Sequence, residues 1–75
     1  MRLGKLRVFS GQDLKRLLEQ HGFQRVRQRG SHMILQKQVV GSTITIPVPD
    51  HREIRQGTPR SIIRKSGLSR DFFEA

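Results

Sequence analysis

Seventy-five residues with 33% hydrophobic content make one small domain with a thin core; a single core of that size rarely supplies more than about 3–5 kcal/mol. The chain has no cysteine, which excludes a disulfide framework and any cysteine-ligated zinc site and fits a reducing compartment. Fifteen Lys and Arg against six Asp and Glu give a net charge of +9, with arginine outnumbering lysine eleven to four, so the chain is suited to a polyanionic partner.

In chain order, residues 1–9 read as an N-terminal arm, with Arg2, Lys5 and Arg7 between Leu3, Leu6 and Val8. Residues 10–75 read as a single domain. Ser10 is a good N-cap, with Asp13 three residues on as an imperfect capping-box partner, and Phe9 is placed to staple on Leu14. Leu14, Leu17, Leu18 and His21 recur at i, i+3, i+4 and i+7, which predicts a helix over 11–21. Gly22 ends it, and Phe23 follows where it packs back on Leu18.

Period-two alternation takes over next. A first strand over 24–29 sets Val26 on one side and Arg25, Arg27 and Arg29 on the other. Gly30 turns the chain. A second strand over 31–37 points Met33 and Leu35 one way and His32, Ile34 and Gln36 the other. After a turn at Val39-Val40-Gly41-Ser42, a third strand over 43–48 alternates Ile44, Ile46 and Val48 with threonines. Pro47 and Pro49 lack amide donors, so this strand belongs at an edge. Asp50 to Gly57 form a polar connection. Thr58 as N-cap and Pro59 at the first helical position start a second helix, which buries Ile62 and Ile63 and closes at Gly67. Ser69 caps a last turn with Phe72 and Phe73.

The predicted class is α+β, in the order α-β-β-β-α. A three-stranded antiparallel sheet would pack two helices on one face, over Val26, Met33, Leu35, Ile44 and Ile46. Order and element type resemble the double-stranded-RNA-binding domain. The other face would carry Arg25, Arg27, Arg29 and His32.

No Asp or Glu occurs from Gln20 to Pro49, whereas Arg25, Arg27, Arg29 and Lys37 fall inside that stretch. This is the footprint of nucleic-acid contact. A neutral imidazole at His32, beside guanidiniums that hold phosphate, suits a general base acting on a ribose 2′-hydroxyl. Arg25, Arg27, Arg29, Ser31 and Lys37 are the expected RNA contacts, and His51 is a secondary site candidate. His21, at a helix C-terminus, reads as structural. The chemistry proposed needs no metal and no cofactor. Asp50, His51 and Glu53 form the one His/acid cluster, read as a charged loop at the end of the sheet opposite the hairpin. The phenylalanines lie at helix ends and termini rather than on the sheet face, which argues against base stacking there. No apolar run approaches a membrane span, and the N-terminus lacks a signal-peptide apolar core, so the expected location is cytoplasmic without membrane attachment.

Several motifs fall in one order: Ser10-Gly11-x-x-Leu14, Gly22-Phe23, Arg27-Gln-Arg-Gly-Ser-His32, Pro49-Asp-His51 with Glu53, Gly57-Thr58 before Arg60-Ser-Ile-Ile63, and Gly67-Leu68. Together they resemble the HicA family of mRNA-interferase toxins, over nearly everything from Ser10 to Phe73. The resemblance implies a double-stranded-RNA-binding-like fold, an endoribonuclease that cleaves mRNA and stops growth, and a HicB-like antitoxin that binds and blocks it. It puts the catalytic histidine at His32. Pro59, where a leucine commonly follows Gly-Thr, and Pro47 in the third strand depart from the pattern. Two other readings stay open at this level: a non-catalytic RNA-binding module using the same basic face, and an arginine face that docks an acidic protein. Free of partners, the chain is expected to be a monomer or weak dimer.

Overall fold

The computed structural model describes residues 8–54 and 57–74. Most of the proposed arm therefore lies outside the described residues, although Phe9 is buried in the core. Helix α1 (Gly11–Gln20) begins with a full capping box: the Ser10 Oγ accepts from the Asp13 amide at 3.0 Å, and the Asp13 carboxylate accepts from the Ser10 amide at 3.1 Å. Aspartate's shorter reach still closes the reciprocal pair that glutamate usually makes. At the other end, the Phe23 amide donates to the Leu18 carbonyl at 3.1 Å and Gly22 takes φ 95, a Schellman ending that satisfies otherwise orphaned carbonyls.

Strands β1 (Gln24–Arg29), β2 (His32–Val39) and β3 (Ser42–Pro49) form one antiparallel sheet in the order β1-β2-β3. β3 is an edge strand, as its prolines require. The connecting turns are two residues each: Gly30-Ser31 takes in Ser31, which the sequence suggests as strand, and Val40-Gly41 is shorter than the four residues suggested, because pairing runs out to Arg29–His32 and Val39–Ser42. Helix α2 (Gly57–Ser66) starts earlier than predicted, so Thr58 lies inside its first turn rather than capping it. Pro59 falls in that turn too, where a missing N–H leaves no hydrogen bond broken. Ser66 finishes the helix with its side chain: its buried Oγ donates to the Ile63 carbonyl and accepts from the Leu68 amide.

The predicted α-β-β-β-α order and its double-stranded-RNA-binding-like arrangement are thus observed. Leu14 and Leu18 of α1, Met33 and Leu35 of β2, Ile46 and Val48 of β3, and Ile62 of α2 share one core on one side of the sheet. Each such side chain contributes about 1.5–3 kcal/mol on burial. The closing 3-10 turn, Arg70–Phe73, is capped by Ser69 and brings Phe73 edge-on to Phe9, with ring centroids 6.0 Å apart. The last and first described segments therefore hold each other.

One expected core residue is absent from it. Val26 is 48% exposed, and no β1 residue is buried. The register shows why: Arg25 pairs with Leu35, Arg27 pairs with Ile34, and Val26 is the extra residue of a β-bulge. A bulge inserts one residue and reverses the facing of everything beyond it.

Candidate active site

Residues paired across an antiparallel ladder share a face. Arg29, His32 and Pro49 therefore form one row on the face away from the helices, and Arg27, Ile34 and Pro47 form the next. Arg27, Arg29 and His32 are exposed, but Ile34 is only 6% exposed and lies outside the main core. It sits between Arg27 and Pro47, where an arginine's methylene stem covers apolar surface while its head stays in water. The open face thus has its own apolar floor under two cations and an imidazole.

The backbone that carries His32 is braced from two directions. The Asp50 amide donates to the Ser31 carbonyl at 2.7 Å, tying the hairpin turn to the end of β3. The Gly11 amide donates to the His51 carbonyl at 2.8 Å, and the Ile54 amide donates to the Phe9 carbonyl at 2.7 Å. The Gln12 amide nitrogen adds a bond to Asp50 Oδ1 at 3.2 Å and lies 3.5 Å from Met33 Sδ. The N-terminus of α1 presses so close that a Cβ on Gly11 would stand 2.0 Å from the Pro49 carbonyl oxygen. Glycine is therefore obligatory there. The glycine directly after the Ser10 N-cap was the sequence's one sign of that approach.

These bonds correct the expectation that Asp50, His51 and Glu53 sit at the far end of the sheet. They lie at the same end as Ser31 and His32, with Asp50 directly beside the turn. A hairpin and a distant loop meet there because β2 and β3 are paired along their whole lengths, so the start of one adjoins the end of the other. His51 is exposed and lines a shallow groove with Pro49, Glu53, Ile54 and Thr58.

The structure does not bring all the predicted contacts together. Because of the bulge, Arg25 shares the helix-side face with Leu35, apart from Arg27 and Arg29. Lys37 pairs with Ile44 on that same side, and its Nζ lies 5.7 Å from the centre of the Phe23 ring. Ser31 is exposed at the turn. His21 is structural as expected: its Nδ1 donates to the Leu17 carbonyl at 2.9 Å, and its ring packs on Phe72 with centroids 4.4 Å apart.

Charge is partitioned in the same way. The ion pairs Arg16–Asp13, Lys15–Glu19 and Arg70–Glu74 belong to the helices and the closing turn, and none draws on Arg27 or Arg29. The Asp13 carboxyl is held below its ordinary value of 3.8 chiefly by the Ser10 backbone and hydroxyl donors, with Arg16 adding to them.

A family model described as the HicA toxin of bacterial toxin-antitoxin systems matches residues 11–68. No curated protein and no solved structure matches the chain.

Proposed function

The chain belongs to the HicA toxin family of bacterial toxin–antitoxin systems, and from that premise we propose that it is an endoribonuclease acting on mRNA with His32 as its general base. As a member of that family it is a toxin with an antitoxin partner. The observation that carries the catalytic reading is the cross-strand pair Arg29–His32, exposed at the braced end of the sheet, with Arg27 in the next row.

In the proposed reaction, the neutral His32 ring takes the proton of a ribose 2′-hydroxyl as that oxygen attacks the adjacent phosphorus. The bond from phosphorus to the 5′-oxygen breaks. The leaving oxygen takes up a proton from water or from His51, the second histidine at this end of the molecule. The products are a 2′,3′-cyclic phosphate and a 5′-hydroxyl. Arg27 and Arg29 hold the phosphate and offset the charge that builds on it, as paired guanidiniums do best. Ser31 lies beside His32 and contacts the same backbone. Arg25 and Lys37, on the other side of the sheet, act through the general attraction of a basic domain for a polyanion. The reaction uses side chains alone and requires no metal or cofactor.

Cleavage of mRNA stops translation and growth, and it takes place in the cytoplasm; no helix among the described residues is long and apolar enough to cross a membrane. A HicB-like antitoxin silences the toxin by covering the Arg27–Arg29–His32 face.

The test is a digest of single-stranded RNA by the purified protein in EDTA, with the fragment ends identified by mass spectrometry. The expected ends are cyclic phosphate and 5′-hydroxyl. Fragments that appear only on adding a divalent ion, or that carry 5′-phosphate, contradict the mechanism. Salt-sensitive binding with no fragments at any protein concentration would leave a non-catalytic RNA-binding module in its place.

A further inference from the structure

The open face of the sheet has two halves of different chemistry. Arg27, Arg29 and His32 occupy the half near the Gly30-Ser31 turn. Beyond Ile34 the cations stop, and a groove opens that is lined by Gln24, Val26, Gln36 and Gln38 with Gly22 at its rim. Pairing sets Gln24 beside Gln36 and Gln36 beside Thr45, and the Gln36 amide donates to the Thr45 hydroxyl at 3.3 Å. Gln38 pairs with Thr43 in the next row. The bulge contributes directly, since it turns Val26 out of the core and into this groove, where the side chain is 48% exposed.

Three side-chain amides within one uncharged groove have little to offer a phosphate. Each carries a donor and an acceptor, the combination that reads the edge of a nucleobase. The groove also lies on the same sheet face as His32: from His32 to Gln36 along β2 is about 13 Å at strand rise, within reach of nucleotides flanking a bound phosphate. The whole surface belongs to the acid-free stretch Gln20–Pro49, so no carboxylate in the strands repels a nucleic-acid backbone running across it.

We propose that the groove of Gln24, Gln36 and Gln38 is a nucleobase subsite that sets which bases flank the cleaved bond. This inference rests on the reading of the Arg27–Arg29–His32 face as the RNA site. The amides select by hydrogen bonding, Val26 gives the base an apolar edge, and no ring is present to stack indiscriminately.

The experiment measures binding of four short oligoribonucleotides, one for each base, to the full chain carrying His32→Ala, which removes cleavage without touching the groove. The same set is then measured on His32→Ala combined with Gln24→Ala and Gln38→Ala. Circular dichroism reports on the fold, and a second combination with Gln36→Met keeps side-chain size while removing the amide donors without adding charge. The expected result is a preference among the four in the parent that flattens by about tenfold when the amides are lost, while the dependence of affinity on salt stays the same. Equal affinity for all four in the parent, no RNA binding at all, or an unchanged preference in both groove variants overturns the proposal. If base preference is present and falls with the amides, but the unmutated protein cleaves nothing, the subsite stands and the ribonuclease reading fails.

Discussion

The two ends of the sheet are built from the same device and used differently. Each is a two-residue turn with glycine at positive φ, Gly30 at 55° and Gly41 at 76°, and each glycine faces open space. At the Gly41 end Val40 stands fully exposed. At the Gly30 end the turn's Ser31 carbonyl is bonded to Asp50, the following loop is bonded to Gly11, and α1 closes over both. Ordinary hairpin chemistry explains the turn at either end. Among the described residues, only the second end has long-range backbone bonds, and they hold the turn before His32 against the loop that carries His51. A site that must hold a base within hydrogen-bond reach of a hydroxyl needs that fixing.

The comparison breaks most sharply at Gly11. Gly11→Ala forces the Pro49–Asp50 backbone away from α1, and the expected loss is about 3 kcal/mol, read as a lowered denaturant midpoint. Cleavage should fall further than the unfolded fraction explains, because the strip that moves also holds the His32 turn. A variant as stable as the parent would mean that the close approach is not needed.

The bulge supplies the next test. Arg27→Ala and Arg29→Ala should each reduce the log–log salt slope of single-stranded RNA binding by about 0.7, the value for one released counterion. Arg25→Ala should reduce it clearly less, since Arg25 lies on the other side of the sheet. Three equal reductions would restore the simple alternation and contradict the observed register.

Acid sharpens the comparison more gently. Asp13 has a folded-state pKa below 3.8, so its stabilisation of the braced end is complete above that ordinary value and is lost as pH falls through the lowered one. A plot of stability against pH for the parent and Asp13→Asn should show a gap at neutral pH that closes in this acid range. A gap that stays constant would place the effect outside the carboxylate. At the free end, Val40→Ser should change stability by no more than about 0.5 kcal/mol and leave RNA cleavage as it was.

Much of the fold was legible because local and global signals agreed. Ser10, Gly22 and Phe23 mark α1 by chemistry that works one residue at a time, and the β2 and β3 alternations match the faces they bury. The site was legible only in part. Arg25-Val-Arg-Gln-Arg29 alternates perfectly, yet the bulge that divides its faces leaves no trace in composition or spacing, because it depends on how β2 pairs with it. The same reason hides the neighbourhood of His51 and His32: their nearness follows from the full pairing of β2 with β3 and from the contact with α1. Lys37 was grouped with the arginines by charge alone. Its position in β2, in phase with Met33 and Leu35, already assigns it to the helix side. The motif around Gly30-Ser31-His32 drew attention to one end of the sheet, and the geometry sets two of its three arginines, Arg27 and Arg29, on the face that carries His32.

The most direct test of the account is the single-turnover cleavage rate of His32→Ala against the parent, measured in EDTA with protein in excess over RNA. His32 is exposed, so melting temperature and RNA affinity should stay close to those of the parent while the rate falls by at least about a hundredfold, the scale of losing a general base. A rate within a few-fold of the parent would contradict the assignment of the chemistry to His32.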